Sequence, residues 1–233
     1  MKCIGVLGGM SWESSLSYYQ ALNRGVRGRL GGLHSARVLL SSVDFAEIDR
    51  LQHAGDWPAT ARLLGKAAQS LQAGGADCLL IATNTMHKVA DEIAAAIDIP
   101  LLHIADATAL RLIEDGIGTV GLLGTRFTME QDFYKGRLRD KFGLKVLVPT
   151  AAAQARVHRI IYEELCLGEI KEASRADYLA IIGELAAAGA EAVILGCTEI
   201  ALLVGPEHTR VPLYDTAALH AEAAVAWALD SSS

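Results

Sequence analysis

Two segments far apart in this chain of 233 residues carry nearly the same pattern. Gly75-Ala76-Asp77 leads into the apolar run Cys78-Leu79-Leu80-Ile81-Ala82 and then Thr83-Asn84-Thr85. Gly189-Ala190-Glu191 leads into Ala192-Val193-Ile194-Leu195-Gly196 and then Cys197-Thr198-Glu199. Each run is continuously apolar, the pattern of a strand covered on both faces. A small polar cluster directly after it falls at the carboxyl end of a parallel strand, where open α/β sheets hold their ligands. Thr83 aligns with Cys197 at an offset of 114 positions (197 less 83). Two more pairs follow the same order. Ile4-Gly5-Val6-Leu7-Gly8-Gly9-Met10 aligns with 120–126, placing Gly8 opposite Gly124 at an offset of 116, and Ile99-Pro100 aligns with Val211-Pro212 at 112. Three ordered matches at nearly one period indicate a duplicated unit, and a period of this size implies two lobes rather than a solenoid. One ligand site in the cleft between two facing halves is the expected consequence.

The expected fold class is α/β: two pseudo-symmetric lobes, each with a mostly parallel sheet flanked by helices. Apolar runs at 4–7, 37–43, 78–82, 119–123, 145–148 and 192–195 read as strands. Ala- and Leu-rich segments at 59–73, 88–96, 106–114, 153–167 and 174–188 have helical spacing. That alternation calls for right-handed crossovers and parallel strands. Pro100 and Pro212 stop helical continuation and open short extended segments. The lobe crossings are placed there, giving a first lobe of 1–98 plus 211–233 and a second of 99–210. The last helix, from Thr216 to Leu229, returns to the first lobe.

A formal charge of −6 with scattered basic residues argues against nucleic acid or an anionic membrane as partner. Arg24, Arg27 and Arg29 read as a solvated helix end. No apolar stretch is long enough for a membrane span, and the amino terminus reads as a first strand rather than a leader, so a cytoplasmic location is expected. The four cysteines form no C-x-x-C or zinc-like spacing, and no motif calls for pyridoxal phosphate, a metal or a nucleotide; no cofactor is expected. Cys3 and Cys78 lie inside apolar runs and Cys166 in a helical segment, so all three read as packing residues.

Four places carry chemistry-bearing residues. Gly8-Gly9-Met10-Ser11 is a strand-to-helix turn that serves equally as an anion contact or as tight packing, and Thr125 occupies the matching place in the second half. Thr83-Asn84-Thr85 offers three adjacent hydrogen-bonding side chains for a carboxylate or ammonium, while also suiting a helix cap. Cys197-Thr198-Glu199 is the counterpart. A thiol at a helix start is expected to have its pKa lowered by the positive end of the dipole. His87 follows the first cluster, and Glu164 lies on a helix that could border the cleft.

Leu7-Gly8-Gly9-Met10, Thr83-Asn84-Thr85-Met86-His87, Leu123-Gly124-Thr125 and Gly196-Cys197-Thr198-Glu199 together resemble the cofactor-independent aspartate/glutamate racemase family, over essentially the whole chain. Within it the chain most resembles the branch specific for L-aspartate and L-glutamate or broad in specificity. The resemblance implies a small amino-acid substrate, held between two α/β lobes, with one proton-transferring residue on each side of Cα. Family members carry a cysteine in each motif; here Thr83 stands in place of the first. A hydroxyl is a poor base near neutral pH but a competent proton donor to a carbanion, so the resemblance implies Cys197 as the base for the L-isomer and Thr83 as the opposing acid. It also implies Asn84, Thr85, Thr125 and Thr198 around the α-carboxylate and ammonium, with Met10 and Gln52 near the substrate. Glu164 lies where a side-chain contact is expected. A homodimer is compatible with the sequence, which does not set the oligomeric state. A single thiol in the second motif also resembles the arylmalonate decarboxylase branch, where one cysteine protonates an enolate after carbon dioxide leaves. A non-catalytic amino-acid sensor is the third reading.

Overall fold

A computed structural model describes residues 1–230; the Ser231-Ser232-Ser233 tail lies outside them. The described residues divide into two compact units, 1–104 with 217–230, and 105–216.

In the first unit, strand β1 (Ile4–Gly8) runs into helix α1 (Trp12–Leu30), then β2 (Val38–Ser42), α2 (Phe45–His53), α3 (Trp57–Ala73) and β3 (Cys78–Ile81). A 3-10 turn (Thr85–Val89), α4 (Ala90–Ala94) and β4 (Leu101–Leu102) follow. All pairings are parallel, in the order β2-β1-β3-β4. Successive residues of these strands feed opposite faces, as the strand period of two requires. Ile4, Val6, Cys78 and Leu80 pack with Tyr18 and Leu22 of α1, whereas Leu7, Leu79 and Ile81 pack with Leu64 and Ala68 of α3. A sheet covered on both faces has no solvent side, which is why β1 and β3 lack polar alternation.

The second unit begins with α5 (Ile104–Glu114), whose first residue still belongs to the first unit. It continues through β5 (Thr119–Gly124), α6 (Arg126–Glu130), α7 (Asp132–Phe142), β6 (Lys145–Leu147) and α8 (Ala151–Glu163). After a 3-10 turn (Leu165–Leu167) come α9 (Glu172–Ala187), β7 (Ala192–Gly196), α10 (Ile200–Leu203) and β8 (Leu213–Asp215). The sheet is again parallel, ordered β6-β5-β7-β8. The same strand order in both sheets is the structural form of the sequence repeat. Helix α11 (Thr216–Leu229) packs Ala217, Ala221, Ala224, Val225 and Ala228 against the first unit's core, with the Lys2 N–H donating to the Ala228 carbonyl at 3.0 Å.

The units divide six residues past each expected crossing, after Ile104 rather than 98 and after Thr216 rather than 210. The strand pairing gives the reason. Leu101 and Leu102 extend the first sheet beside Leu79 and Leu80, and Leu213–Asp215 extend the second beside Val193–Leu195. Proline removes a ladder donor at the strand start without preventing the pairing that follows.

Helix ends obey local chemistry. Ser11 caps α1, its hydroxyl accepting from the Ser14 N–H at 3.3 Å, and Arg27 and Arg29 occupy the last turn, where cations offset the dipole. The expected helix at 153–167 closes at Glu163, so Cys166 sits half-buried in the 3-10 turn that follows. Among the described residues no helix is long and apolar enough to cross a membrane.

Candidate active site

Strand order fixes where a ligand site can form. In each sheet the chain goes from the first strand to one side and returns on the other, so the crossovers above β1 and β3, and above β5 and β7, leave in opposite directions. A crevice at the carboxyl ends of such a pair is the usual ligand position in α/β sheets. Leu7 is level with Ile81 and Gly124 with Gly196. The two polar clusters of each half are therefore brought side by side: Gly9–Ser11 with Thr83–Thr85, and Thr125 with Cys197–Glu199.

In the first unit the turn after β1 is tightly packed. Gly9 has φ +90°, and a Cβ there would overlap the Val43 carbonyl and lie 2.6 Å from its nitrogen. The Gly9 N–H donates to Ser15 Oγ at 2.7 Å, and that hydroxyl donates to the Ser11 carbonyl at 3.0 Å. Ser14 Oγ reaches across to donate to the Ala82 carbonyl at 3.1 Å, tying α1 to the residue before Thr83. The only local sequence signal for Ser14 and Ser15 is the cap residue Ser11, three and four residues earlier. Met10 packs with Leu7, Ile48 and Met86 in the apolar core rather than standing as an open surface.

Thr83 is half-buried in a bend just past β3, and Asn84 and Thr85 after it are buried. Asn84 makes no side-chain capping bond to the 3-10 turn, so the cap reading of this cluster does not account for it. Gln52 lies buried on α2.

In the second unit Thr125 caps α6, its hydroxyl accepting from the Thr128 N–H at 3.4 Å. Gly196 delivers the chain to Cys197 through a gap closed to any side chain, since a Cβ would meet Leu122 Cδ1 and the Leu123 carbonyl at 2.8 Å each. Cys197 is buried in the cluster formed by Val157, Ile160, Tyr178 and Leu195. Its Sγ donates to Glu199 Oε2 at 2.9 Å, and Thr198 Oγ1 donates to the same oxygen at 2.8 Å. One buried carboxylate oxygen thus gathers both hydroxyl and thiol.

This geometry reverses the expected direction of the Cys197 pKa. Burial pushes the thiol well up, and the charge of Glu199 beside it pushes the same way. The dipole argument fails because α10 starts only at Ile200 and has four residues. A backbone hydrogen bond at Glu199 opposes the shift without overcoming it. At rest Cys197 is a thiol, a proton donor, with an acceptor already in contact. Glu199 stands in the Gly196–Glu199 motif, where sequence position alone does not reveal this contact with the thiol.

Glu164 lies apart from this pair in its bonding. Its Oε2 accepts from Ser174 Oγ at 2.6 Å and its Oε1 faces Lys171 Nζ at 3.8 Å. Ser174, ten residues on, gave no sequence signal for this contact. Cys3 and Cys78 are buried, and burial pushes the Cys78 thiol up to about 12, as suits packing residues. Among the described residues no three His, Cys, Asp or Glu side chains are grouped to hold a metal ion.

Comparison with known proteins agrees with this architecture. The chain is 54% identical to a candidate Asp/Glu racemase from Yersinia pestis, covering 99% of this chain and 100% of that one with a TM-score of 0.92. It is 32% identical to an aspartate racemase homologue from Pyrococcus horikoshii OT3, over 99% and 100%, with a TM-score of 0.86. A glutamate racemase from Francisella tularensis, solved with D-glutamate, shares the fold at 17% identity and a TM-score of 0.70, over 100% of this chain and 84% of that one. The sequence profile described as Asp/Glu/Hydantoin racemase matches residues 7–224. With that profile running through both halves of the repeat and both polar clusters, the chain belongs to the Asp/Glu/hydantoin racemase family.

Proposed function

We propose that the protein is an isomerase, an amino-acid racemase working without pyridoxal phosphate on aspartate, glutamate or a broader set of amino acids. The observation that carries the reading is the Cys197 thiol donating to a buried Glu199 carboxylate at 2.9 Å in a chain of this family. Starting from the L-isomer, the Sγ–H bond breaks and its proton passes to Glu199 Oε2. The thiolate then takes the α-proton, leaving the electron pair on Cα and the carboxylate. Thr83 Oγ–H delivers a proton to the opposite face and recovers one from solvent, while Glu199 releases its own. Inversion requires removal and delivery on opposite sides of Cα. Asn84, Thr85, Thr125 and Thr198 hold the α-carboxylate and ammonium, stabilising charge as the proton leaves. Met10, Gln52 and Glu164 shape the surroundings of the substrate.

A thiol and an aliphatic hydroxyl differ in acidity by several units, and each unit is about 1.4 kcal/mol of barrier. Proton abstraction is therefore fast from the L-isomer and slow from the D-isomer, although the equilibrium between mirror images stays at one to one. The test follows α-proton exchange of each pure isomer in deuterium oxide. Faster exchange from L, abolished by Cys197→Ala, is the expected result. Equal initial rates from both isomers overturn the asymmetric assignment.

One observation favours a second reading. A thiol held protonated at rest suits an enzyme that only donates a proton, as in decarboxylation of a disubstituted malonate. Release of carbon dioxide from such a malonate, without exchange from any amino acid, would select that lyase.

A further inference from the structure

Resting on the racemase reading, we infer that His87 is a positioning residue for Thr83, its neutral ring fixing the backbone from which the Thr83 hydroxyl projects. The ladder of the first sheet ends where the Ala82 N–H donates to the Leu7 carbonyl at 2.9 Å. Thr83 follows in a bend, where neither strand nor helix sets its ψ. His87 supplies that constraint. Its Nδ1 lies 2.8 Å from the Thr83 carbonyl, and a carbonyl only accepts, so Nδ1 carries the hydrogen. Its Nε2 accepts the Ile104 N–H at 3.2 Å, which an imidazolium cannot do. The two bonds together select one tautomer of an uncharged ring.

The ring is itself held. His103 lies against it, with ring centroids 4.4 Å apart, and His220 stands 6.0 Å away. His220 is fully buried; its Nε2 donates to the Leu102 carbonyl at 2.7 Å and its Nδ1 meets the Tyr18 hydroxyl at 2.8 Å. The peptide groups on either side of His103 are thus each bound by a histidine from another element. A ring fixed on both edges holds the Thr83 carbonyl in one orientation. Ser14 Oγ holds the preceding carbonyl, so two successive peptides are clamped. A displacement of about 1 Å at a proton-transferring group costs on the order of 10²-fold in rate. The effect must fall on the step that uses Thr83 and spare the one that uses Cys197.

The experiment separates those steps. L-aspartate, L-glutamate and L-homoserine are each incubated in deuterium oxide, and two rates are read: deuterium entering the recovered L-isomer, which needs Cys197 and Glu199 but not Thr83, and appearance of the D-isomer, which needs Thr83 as well. His87→Phe keeps an aromatic ring and loses both hydrogen bonds. It is expected to slow D-isomer formation by about tenfold or more while exchange into L stays within about threefold. His87→Asn, whose amide donates near the Nδ1 position, is expected to recover most of the loss. Should His87→Phe not fold, His87→Gln, which keeps an acceptor near Nε2 and loses the inner donor, reads the same split. Equal loss of both rates, unchanged D-isomer formation, or no recovery in a folded His87→Asn overturns the inference. Absence of both rates in the unmodified protein overturns the racemase reading itself, a failure visible before any variant is made.

Discussion

Replacing Glu199 with glutamine isolates what the carboxylate contributes beside the thiol. The change is nearly isosteric, so packing around the buried Cys197 is retained. Glu199 Oε2 takes two hydrogen bonds, from Sγ at 2.9 Å and from Thr198 Oγ1 at 2.8 Å. Bonds to a charged acceptor contribute about 1.5–3 kcal/mol each, against about 0.5–1.5 for neutral ones. Exchanging two of the first kind for two of the second costs roughly 2–3 kcal/mol of folding stability. The chemical loss is larger. An amide cannot receive the thiol proton, and losing a positioned base lowers rate by about 10²–10⁴, or roughly 3–5 kcal/mol of barrier. Glu199→Gln should therefore remain folded, with a modest drop in denaturation midpoint, yet racemise at least about a hundredfold more slowly. The raised thiol should also relax downward, because the neighbouring anion that helps to raise it is gone. Alkylation of Cys197 by iodoacetamide at neutral pH should then be faster in the variant than in the unmodified protein, while turnover is slower. Chiral chromatography of the product and mass spectrometry of the alkylated peptide measure the two. Turnover within about threefold of the unmodified enzyme would refute Glu199 as the proton acceptor. A slower alkylation would refute the electrostatic account of the thiol.

Three further outcomes follow from the same structure. Thr83→Cys should raise α-proton exchange from the D-isomer more than from the L-isomer, read by proton NMR in deuterium oxide; no bias between isomers would remove Thr83 from the reaction. Gly9→Ala should destabilise the protein by more than about 2 kcal/mol, because φ +90° disfavours a side chain and the new Cβ would press on Val43 backbone that cannot swing away; an unchanged urea midpoint would contradict this. Asp106, held by hydrogen bonds from Arg137 and Lys141, has its carboxyl below the usual range despite partial burial, which alone would raise it. Its contribution is present above the carboxyl's unfolded pKa and is lost as pH falls through the depressed folded value. Asp106→Asn should therefore lower stability at neutral pH and flatten its decline in acid, as measured by melting temperature across pH.

The sequence by itself determined the duplicated architecture, because the signal is local and periodic. A continuous apolar run of five residues between Gly-Ala-acid and a polar cluster has one good use, a strand covered on both faces, and β3 and β7 are those strands. Aligning Gly8 with Gly124 and Pro100 with Pro212 was enough to anticipate two lobes with a mostly parallel sheet in each; the strand order they share came from the structure. The terminal arginines of α1 were legible for the same reason, since a cap or a charge acts within one turn. Tertiary structure alone decided the state of the polar side chains at the candidate site. The thiol of Cys197 is raised rather than lowered because Val157, Tyr178 and Leu195 exclude water and Glu199 points its oxygen at the sulfur. Nothing in the spacing of residues 197 to 199 reports the side-chain direction that decides this. Met10 belongs to the core and Glu164 is met by Ser174; each depends on which element arrives opposite. The tautomer of His87 depends on Ile104, seventeen residues along the chain and adjacent only because β4 pairs with β3. Periodicity identifies the residues that face inward, whereas charge, tautomer and proton affinity are set by neighbours through space, which only the packed chain brings together.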